Sequence, residues 1–401
     1  MILSRNLLYI LIILSFPLQF VFHNIFFTHG AASIQSNWDF SKISKFQLDF
    51  ANNVTGYMAA ASSLIFIFVS YRIKKRRIFI SILYLLSGVI WLVYLAINDK
   101  NLWLLILLRT INGVFIGFFQ SAEISYMMHF SQEKLFGFHG SLIEVSITLA
   151  ISLLNVMFYS IDWKIISIIL SIQSFAFGGL IWMIPEYKVI PKTYSRQYIY
   201  KPPFLKFLIV MISIMAIQCF SGIGFMIENC PRLLKDIGIE LDSYIQLAFS
   251  NFISCVSAFI SAFIIDTIGV RYMWAFSSFG TVISLIIYVI TLKVECPKWV
   301  GVFGVFLYFL FFGLGEGTIP WMLCGLMFPE SLMIESGGIN TFVNRFMDSW
   351  FDDLLNVITK SIGEFGSVAI NAAVSFLGIW FGLFFIPNLN DYYYNENITV
   401  F

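Results

Sequence analysis

"GLGEGTIPW" runs from Gly313 to Trp321, inside an apolar stretch that begins near Trp299. Three glycines, a glutamate and a proline in nine residues weaken any helix. A membrane span tolerates such freed backbone only where it is buried in protein or lines a cavity. Whether this is a spanning helix follows from the chain around it. Of 401 residues, 59% are hydrophobic and 12% charged, with a mean hydropathy of +0.85. Soluble domains carry about twice that share of charge. Apolar runs recur along almost the whole chain, each able to cross a hydrocarbon layer of roughly 30 Å as a helix.

The net charge of +1 provides no basic face for phosphates, which argues against a nucleic-acid partner. The cysteines at 219, 230, 255, 296 and 324 form no CxxC pair, and His23 and His29 fall on different helical faces. No metal site and no cofactor are expected. The opening run MILSRNLLYILIILSF stays apolar to about Phe27 without a small-residue cleavage pattern, so it reads as a retained first span.

Twelve spans are expected, at 7–29, 52–71, 78–97, 103–127, 139–159, 163–184, 205–228, 244–267, 272–292, 299–326, 336–357 and 365–386. The polar, basic stretch "PEYKVIPKTYSRQYIYKPP" (185–203) divides them six and six. The implied organisation is an N-terminal six-helix bundle (1–186), a short cytoplasmic linker (187–204) and a C-terminal bundle with a short tail (205–401). With the N-terminus inside, thirteen lysines and arginines fall on the inner side and nine on the outer, and "YRIKKRR" after span 2 is dense and short. The halves repeat. "YRIKKRR" (71–77) is matched about 195 residues later by "DTIGVR" (266–271), and "IPEY" (184–187) by "IPNL" (386–389). Two six-helix halves indicate a rocking transporter with its substrate site between them at mid-membrane.

At this point the chain resembles the sugar porter branch of the major facilitator superfamily. Span 10 carries the likeness best, with Pro320, Trp321, Phe328 and Pro329 of "GLGEGTIPWMLCGLMFPES" in register. Span 4 has Arg109, Gly113, Gly117 and Tyr126 at the family's spacing, and span 7 keeps Gln218, Ser221 and Gly222 in "IQCFSGIG". Asp266, Gly269 and Arg271 after span 8, and Pro185-Glu186-Tyr187 after span 6, also match. The resemblance implies an all-α membrane protein of twelve transmembrane helices in two pseudo-symmetric six-helix bundles. It also implies alternating-access transport of a hexose by a monomer in the plasma membrane, with no enzyme activity.

Departures are equally informative. The family's inner charge pairs are replaced, with Tyr71 for an aspartate, His129 for an acid, Phe136 for an arginine, Leu326 for a glutamate and Met333 for its arginine partner. The inner closing network is thus expected to be rebuilt or weak. Cys219 and Gly224 replace the second glutamine and the asparagine of the span 7 motif.

A sugar site needs amides or carboxylates for hydroxyls and an aromatic face for C–H surfaces. The substrate candidates are Gln218, Glu144, Trp321, Asn344, Thr148, Asp348 and Ser254. Glu144 stands where the family places a sugar-binding glutamine, with Arg109 expected as its ionic partner because a lone charge in a span costs roughly 2.5–3.5 kcal/mol or more. Gln218 reads equally as a helix–helix hydrogen bond, and Trp321 as core packing. Span 11 bears a polar stripe of Thr341, Asn344, Arg345, Asp348, Asp352, Asn356 and Thr359, whose plainer reading is an Arg345–Asp348 pair one turn apart.

Gating or coupling candidates are Arg109, Asn24, Glu316, Pro320, Asp266, Arg271 and Glu186. Glu316 reads as a cavity residue that binds substrate, carries a proton or caps loosened backbone. Proton symporters of the family tend to carry an aspartate where Asn24 aligns, so facilitated diffusion is favoured. Three functions are carried: a hexose uniporter; a proton-coupled carrier of a sugar, polyol or charged polar metabolite, motivated by Arg345, Asp348 and Glu228; and a non-transporting nutrient sensor. The last is disfavoured because only about fifteen polar residues follow Ile386. The sequons at 53–55 and 397–399 carry no functional reading.

Overall fold

The computed structural model describes residues 2–36, 38, 45–132, 135–186, 199–236, 241–291 and 294–387. The 397–399 sequon, most of the linker and the side chains of Glu228, Asp352 and Asn356 lie outside what is described. The helices of the first half are α1 (Ile2–Ile13) and α2 (Ser15–Ile34), which form one span, then α3 (Lys45–Arg72), α4 (Arg76–Tyr94), α5 (Leu102–Phe130), α6 (Phe136–Ser160) and α7 (Trp163–Leu180). The second half has α8 (Phe204–Phe220) and α9 (Ile223–Asp236), α10 (Ser243–Ile268), α11 (Val270–Thr291), α12 (Lys298–Phe311), α13 (Ile319–Met327) and α14 (Met333–Phe385).

Eleven of the described helices are long and apolar enough to cross a membrane. The expected span at 336–357 is helical but too polar to count among them, because Arg345, Asp348, Asp352 and Asp353 fall within it. It runs on into the last span without a loop. Gly363, at φ 75°, breaks α14 into two helices.

The polarity of these helices is inverted relative to soluble ones. Outward faces are apolar, with Phe263, Leu377 and Phe384 each more than 60% exposed. Inward faces carry small hydroxyl residues. Between α4 and α7, Ser81 donates to Gly178 O at 2.7 Å, Ser171 to Gly88 O at 2.8 Å and Ser167 to Trp91 O at 2.6 Å. Small residues admit close backbone approach, and their hydroxyls find acceptors on the facing helix, which is how helices associate where lipid is as apolar as leucine.

The halves meet along two helix pairs, α6 with α10 and α3 with the first part of α14. These pairs exchange under the expected pseudo-two-fold: span 2 packs on span 11 as span 8 packs on span 5. The repeated motifs close each half in the same manner. Arg77 donates to Ile184 O at 3.2 Å, and Arg271 to Ile386 O at 2.8 Å. Ile184 and Ile386 are the first residues of the repeated "IP" motifs.

Candidate functional site

The Gly313–Trp321 stretch is a broken helix, and its backbone is repaired from outside. Residues Phe312–Glu316 form a π-helical turn, with Gly317 N donating to Phe312 O at 2.8 Å. Side chains satisfy the displaced carbonyls. Ser277 donates to Phe311 O and Ser261 to Leu314 O, both at 2.6 Å, and Thr318 donates to Gly313 O at 2.8 Å. Gln218 Nε2 donates to Glu316 O at 2.9 Å and to Gly317 O at 3.2 Å, and Asn340 Nδ2 to Pro320 O at 3.2 Å. A π-bulge frees backbone groups and re-aims the side chains after it. Here it turns Trp321 toward the seam between the halves.

Around that seam the polar residues of five helices converge. The indole of Trp321 lies beside the Glu144 carboxylate. A Cβ on Gly317 would lie 2.7 Å from Glu144 Oε1, so only glycine lets α6 and this turn approach so closely. Arg345 Nε donates to Gln120 Oε1 at 2.8 Å, and Gln120 Nε2 to Asn344 Oδ1 at 3.4 Å. The Asn344 amide reaches Met215 Sδ at 3.3 Å, and the Arg345 guanidinium lies 5.5 Å from the Phe20 ring centroid. Glu123 interacts electrostatically with both Arg345 and Glu144. These residues stand roughly 10–20 Å from the inner helix ends at 1.5 Å per residue, the middle of a 30 Å core. Several buried atoms find no hydrogen-bond partner among the described residues: both Glu123 oxygens, Gln218 Oε1, Asn340 Oδ1, Ser121 Oγ and Thr341 Oγ1. Buried polar atoms are nearly always satisfied, so these open groups mark the seam as the candidate site.

Several expectations change. Arg109 does not partner Glu144. It donates to Ala51 O at 3.0 Å and to Asn24 O at 3.3 Å, near the outer end of α5, whereas Glu144 lies at the mid-membrane seam on the antiparallel α6. At 1.5 Å per residue their depths differ by about 20 Å. Gln218 spends its amide N–H groups on the broken backbone, leaving Oε1 as its open group. Thr148 bonds back to Glu144 O at 2.8 Å within its own helix. Ser254 Oγ faces Gly313, 2.8 Å from where a Cβ would stand, rather than the seam. Glu316 points away from the seam into the second half, among Ser221, Ser278 and Thr281. Arg345 and Asp348 do pair one turn apart, at 3.7 Å. Glu186 holds Arg77, accepting from its backbone N at 3.1 Å, and Arg271 holds Ile386, so both act within one half rather than across the seam.

The inner closing network is rebuilt at the positions where the family's charges are missing. The Tyr71 hydroxyl donates to Glu335, and His129 hydrogen-bonds Glu330; each bond joins one half to the other. Asp266, at the inner end of α10, accepts from Phe138 N at 3.3 Å and so caps the N-terminus of α6. A carboxylate there meets unpaired N–H groups and the positive end of the helix dipole. All three contacts lie on the inner side.

The family described as "Sugar (and other) transporter" matches residues 182–396, more than half of the chain. The chain belongs to this transporter family. Curated relatives agree over a shorter stretch. The "Facilitated trehalose transporter Tret1-1" of Drosophila sechellia and "Trehalose transporter 1" of Drosophila melanogaster are each 25% identical over 190 residues, or 46% of this chain. The match spans 22% of the length of each of these relatives. Among solved structures, the major facilitator proton:xylose symporter XylE bound to 6-bromo-6-deoxy-D-glucose superposes with a TM-score of 0.80 at 14% identity, over 97% of this chain and 99% of that one. E. coli XylE in a partially occluded inward-open conformation gives 0.72 at 13% identity, over 96% and 100%. At such identities the likeness shows the fold alone, which is the major facilitator fold that span 10 pointed to.

Within this family member, Gln120, Glu123, Glu330 and Glu335 escaped the sequence reading. Gln120 and Glu123 had a legible signal, since "FFQSAEISY" places an amide and an acid three residues apart inside an apolar span, on one helical face. Glu330 and Glu335 had none, because their partners are a histidine and a tyrosine.

Proposed function

We propose that this protein carries a monosaccharide, such as glucose or another hexose, across the plasma membrane by alternating access, as a monomer and by facilitated diffusion. The ring of buried, unpartnered hydrogen-bonding atoms beside Trp321 carries the reading. A sugar's hydroxyls donate to Glu123, Gln218 Oε1 and Asn340 Oδ1, and its C–H face packs on the indole. Asn24, at the position where symporters tend to hold an acid, supports uniport. Membership in a family of sugar and other transporters, with relatives named for trehalose and xylose, supports a sugar over other polar cargo.

A proton-coupled mechanism is the second reading. It is favoured by Glu123 and Glu144 sharing one site with Arg345. Labelled-glucose uptake in cells lacking their own hexose carriers tests both, with unlabelled hexoses, xylose, trehalose and polyols as competitors. Saturable uptake blocked by hexoses, lost in Trp321→Ala and changing little between acidic and neutral pH, is the expected result. Steep acid stimulation abolished by Glu144→Gln or Glu123→Gln replaces uniport with symport. Absence of uptake and of competition by any of these sugars refutes the sugar reading.

A further inference from the structure

A neutral sugar meets the hydrogen-bonding needs of the seam but not its charge. Glu123 is fully buried, and neither of its carboxylate oxygens has a hydrogen-bond partner among the described residues. Around it the charges do not balance. Glu144, also buried, acts on it as a like charge, and Asp348 stands one turn from Arg345 at 3.7 Å. Arg345 faces both Glu123 and Asp348, so one guanidinium stands against three acids. Its Nε is already engaged with Gln120 Oε1 at 2.8 Å. The other buried arginines among the described residues are held elsewhere, Arg76 by Ser70 O at 3.2 Å and Arg109 by Ala51 O at 3.0 Å. An ionised carboxylate in a dry interior is costly unless it is paired, protonated or beside a ligand.

The missing positive charge comes either from a proton or from a cationic group on the cargo. The neutral groups of the seam favour the second. Gln218 Oε1 and Asn340 Oδ1 are buried and open, and both are carbonyl oxygens, which only accept. The nitrogens of the same amides each have a protein acceptor, Gln218 Nε2 at Glu316 O, 2.9 Å away, and Asn340 Nδ2 at Pro320 O, 3.2 Å away. A proton on Glu123 neutralises the acid and does nothing for these two acceptors. An ammonium on the cargo supplies the charge together with three N–H donors and no acceptor of its own. Trp321, whose indole lies beside Glu144, offers a ring face that attracts a cation as well as a C–H surface.

We propose that Glu123 holds an ammonium group of the cargo, so that the preferred substrate is an amino sugar, an aminodeoxyhexose rather than glucose itself. This rests on the proposed transport of a monosaccharide and narrows it. A hydroxyl and an ammonium are close in size, so the open groups of the seam take either. The hydrogen bond between ammonium and carboxylate is roughly twice as strong as a neutral one, and that difference sets the preference. Acetylation of the amine removes its charge and adds bulk, so an N-acetyl sugar loses the advantage.

The test is inhibition of labelled-glucose uptake, in cells lacking their own hexose carriers, by glucose, by glucosamine and its positional isomers, and by N-acetylglucosamine as the uncharged control, all at neutral pH. Thermal stabilisation of the purified full-length protein in detergent by the same sugars reads binding without transport. At least one amino sugar is expected to bind about tenfold or more tightly than glucose, the difference between a charged and a neutral hydrogen bond. N-acetylglucosamine is expected to bind more weakly than that amino sugar. Glu123→Gln is expected to bring the affinities for amino sugar and glucose close together, and Glu123→Asp, which keeps the charge, to preserve part of the preference. If neither variant folds, the wild-type stabilisation series still separates the outcomes. Amino sugars that bind no better than glucose overturn the proposal, as does a preference that persists in Glu123→Gln. Glucose uptake with no amine preference removes this proposal and leaves the monosaccharide reading standing. No uptake and no stabilisation by any of these sugars removes both.

Discussion

Tyr71→Phe tests how the inner side is held shut. The substitution removes one hydroxyl and little volume, and that hydroxyl donates across the seam to the Glu335 carboxylate. Hydrogen bonds to charged groups contribute about 1.5–3 kcal/mol, and the partial exposure of Tyr71 places this one near 1.5 kcal/mol. On the inner side, two other cross-seam bonds among the described residues remain, His129 to Glu330 and Phe138 N to Asp266. The inner side therefore stays mainly closed but opens more often. At 1.4 kcal/mol per factor of ten, the ratio of open to closed inner ends rises about tenfold. Glu335→Gln keeps an acceptor and removes the charge, so it moves the ratio in the same direction by about half as much in free energy. Spin labels on the inner ends of α4 and α11 report this directly as growth of the long-distance population. If both variants give wild-type distance distributions, the bond does not hold the gate, and the rebuilt inner lock is wrong.

Two further substitutions separate local strain from site electrostatics. Gly222 sits at φ 99° with Asn371 against it, whereas Gly363 sits at φ 75° with nothing within 4 Å of a Cβ. Gly222→Ala should cost about 2–4 kcal/mol, strain plus overpacking, and Gly363→Ala only about 1–2 kcal/mol, strain alone; thermal unfolding yielding equal losses would refute the close packing at Gly222. Arg345→Leu leaves Glu123 buried without its balancing cation and should cost about 3–5 kcal/mol. Adding Glu123→Gln should then recover part of that loss, and a double variant no more stable than Arg345→Leu would show that Arg345 does not balance Glu123.

Much of the architecture was legible because lipid imposes a one-dimensional rule. Each span has to satisfy its own backbone over about 20 apolar residues. Loop charge and the repeated "YRIKKRR"/"DTIGVR" and "IPEY"/"IPNL" pairs then located the seam. Span 11 was legible as a polar stripe, and its Arg345–Asp348 pair followed from i,i+3 spacing. The pairing of Arg109 with Glu144 failed because sequence order says nothing of depth: the two residues sit at different depths on antiparallel helices. Glu316 was misplaced for a related reason. A π-turn rotates every residue after it relative to α-helical periodicity, so which neighbour an acid faces is not readable from a 3.6-residue repeat.

Composition, span length and charge bias were enough to establish a twelve-helix membrane protein, because hydrophobic matching acts on each segment separately. Which polar groups meet was decided only when the helices packed. Gln120 with Arg345, Trp321 with Glu144 and Tyr71 with Glu335 are distant in sequence, and each contact depends on the rotation and depth of two helices at once. No local pattern encodes that, and so the candidate site emerged from the tertiary structure.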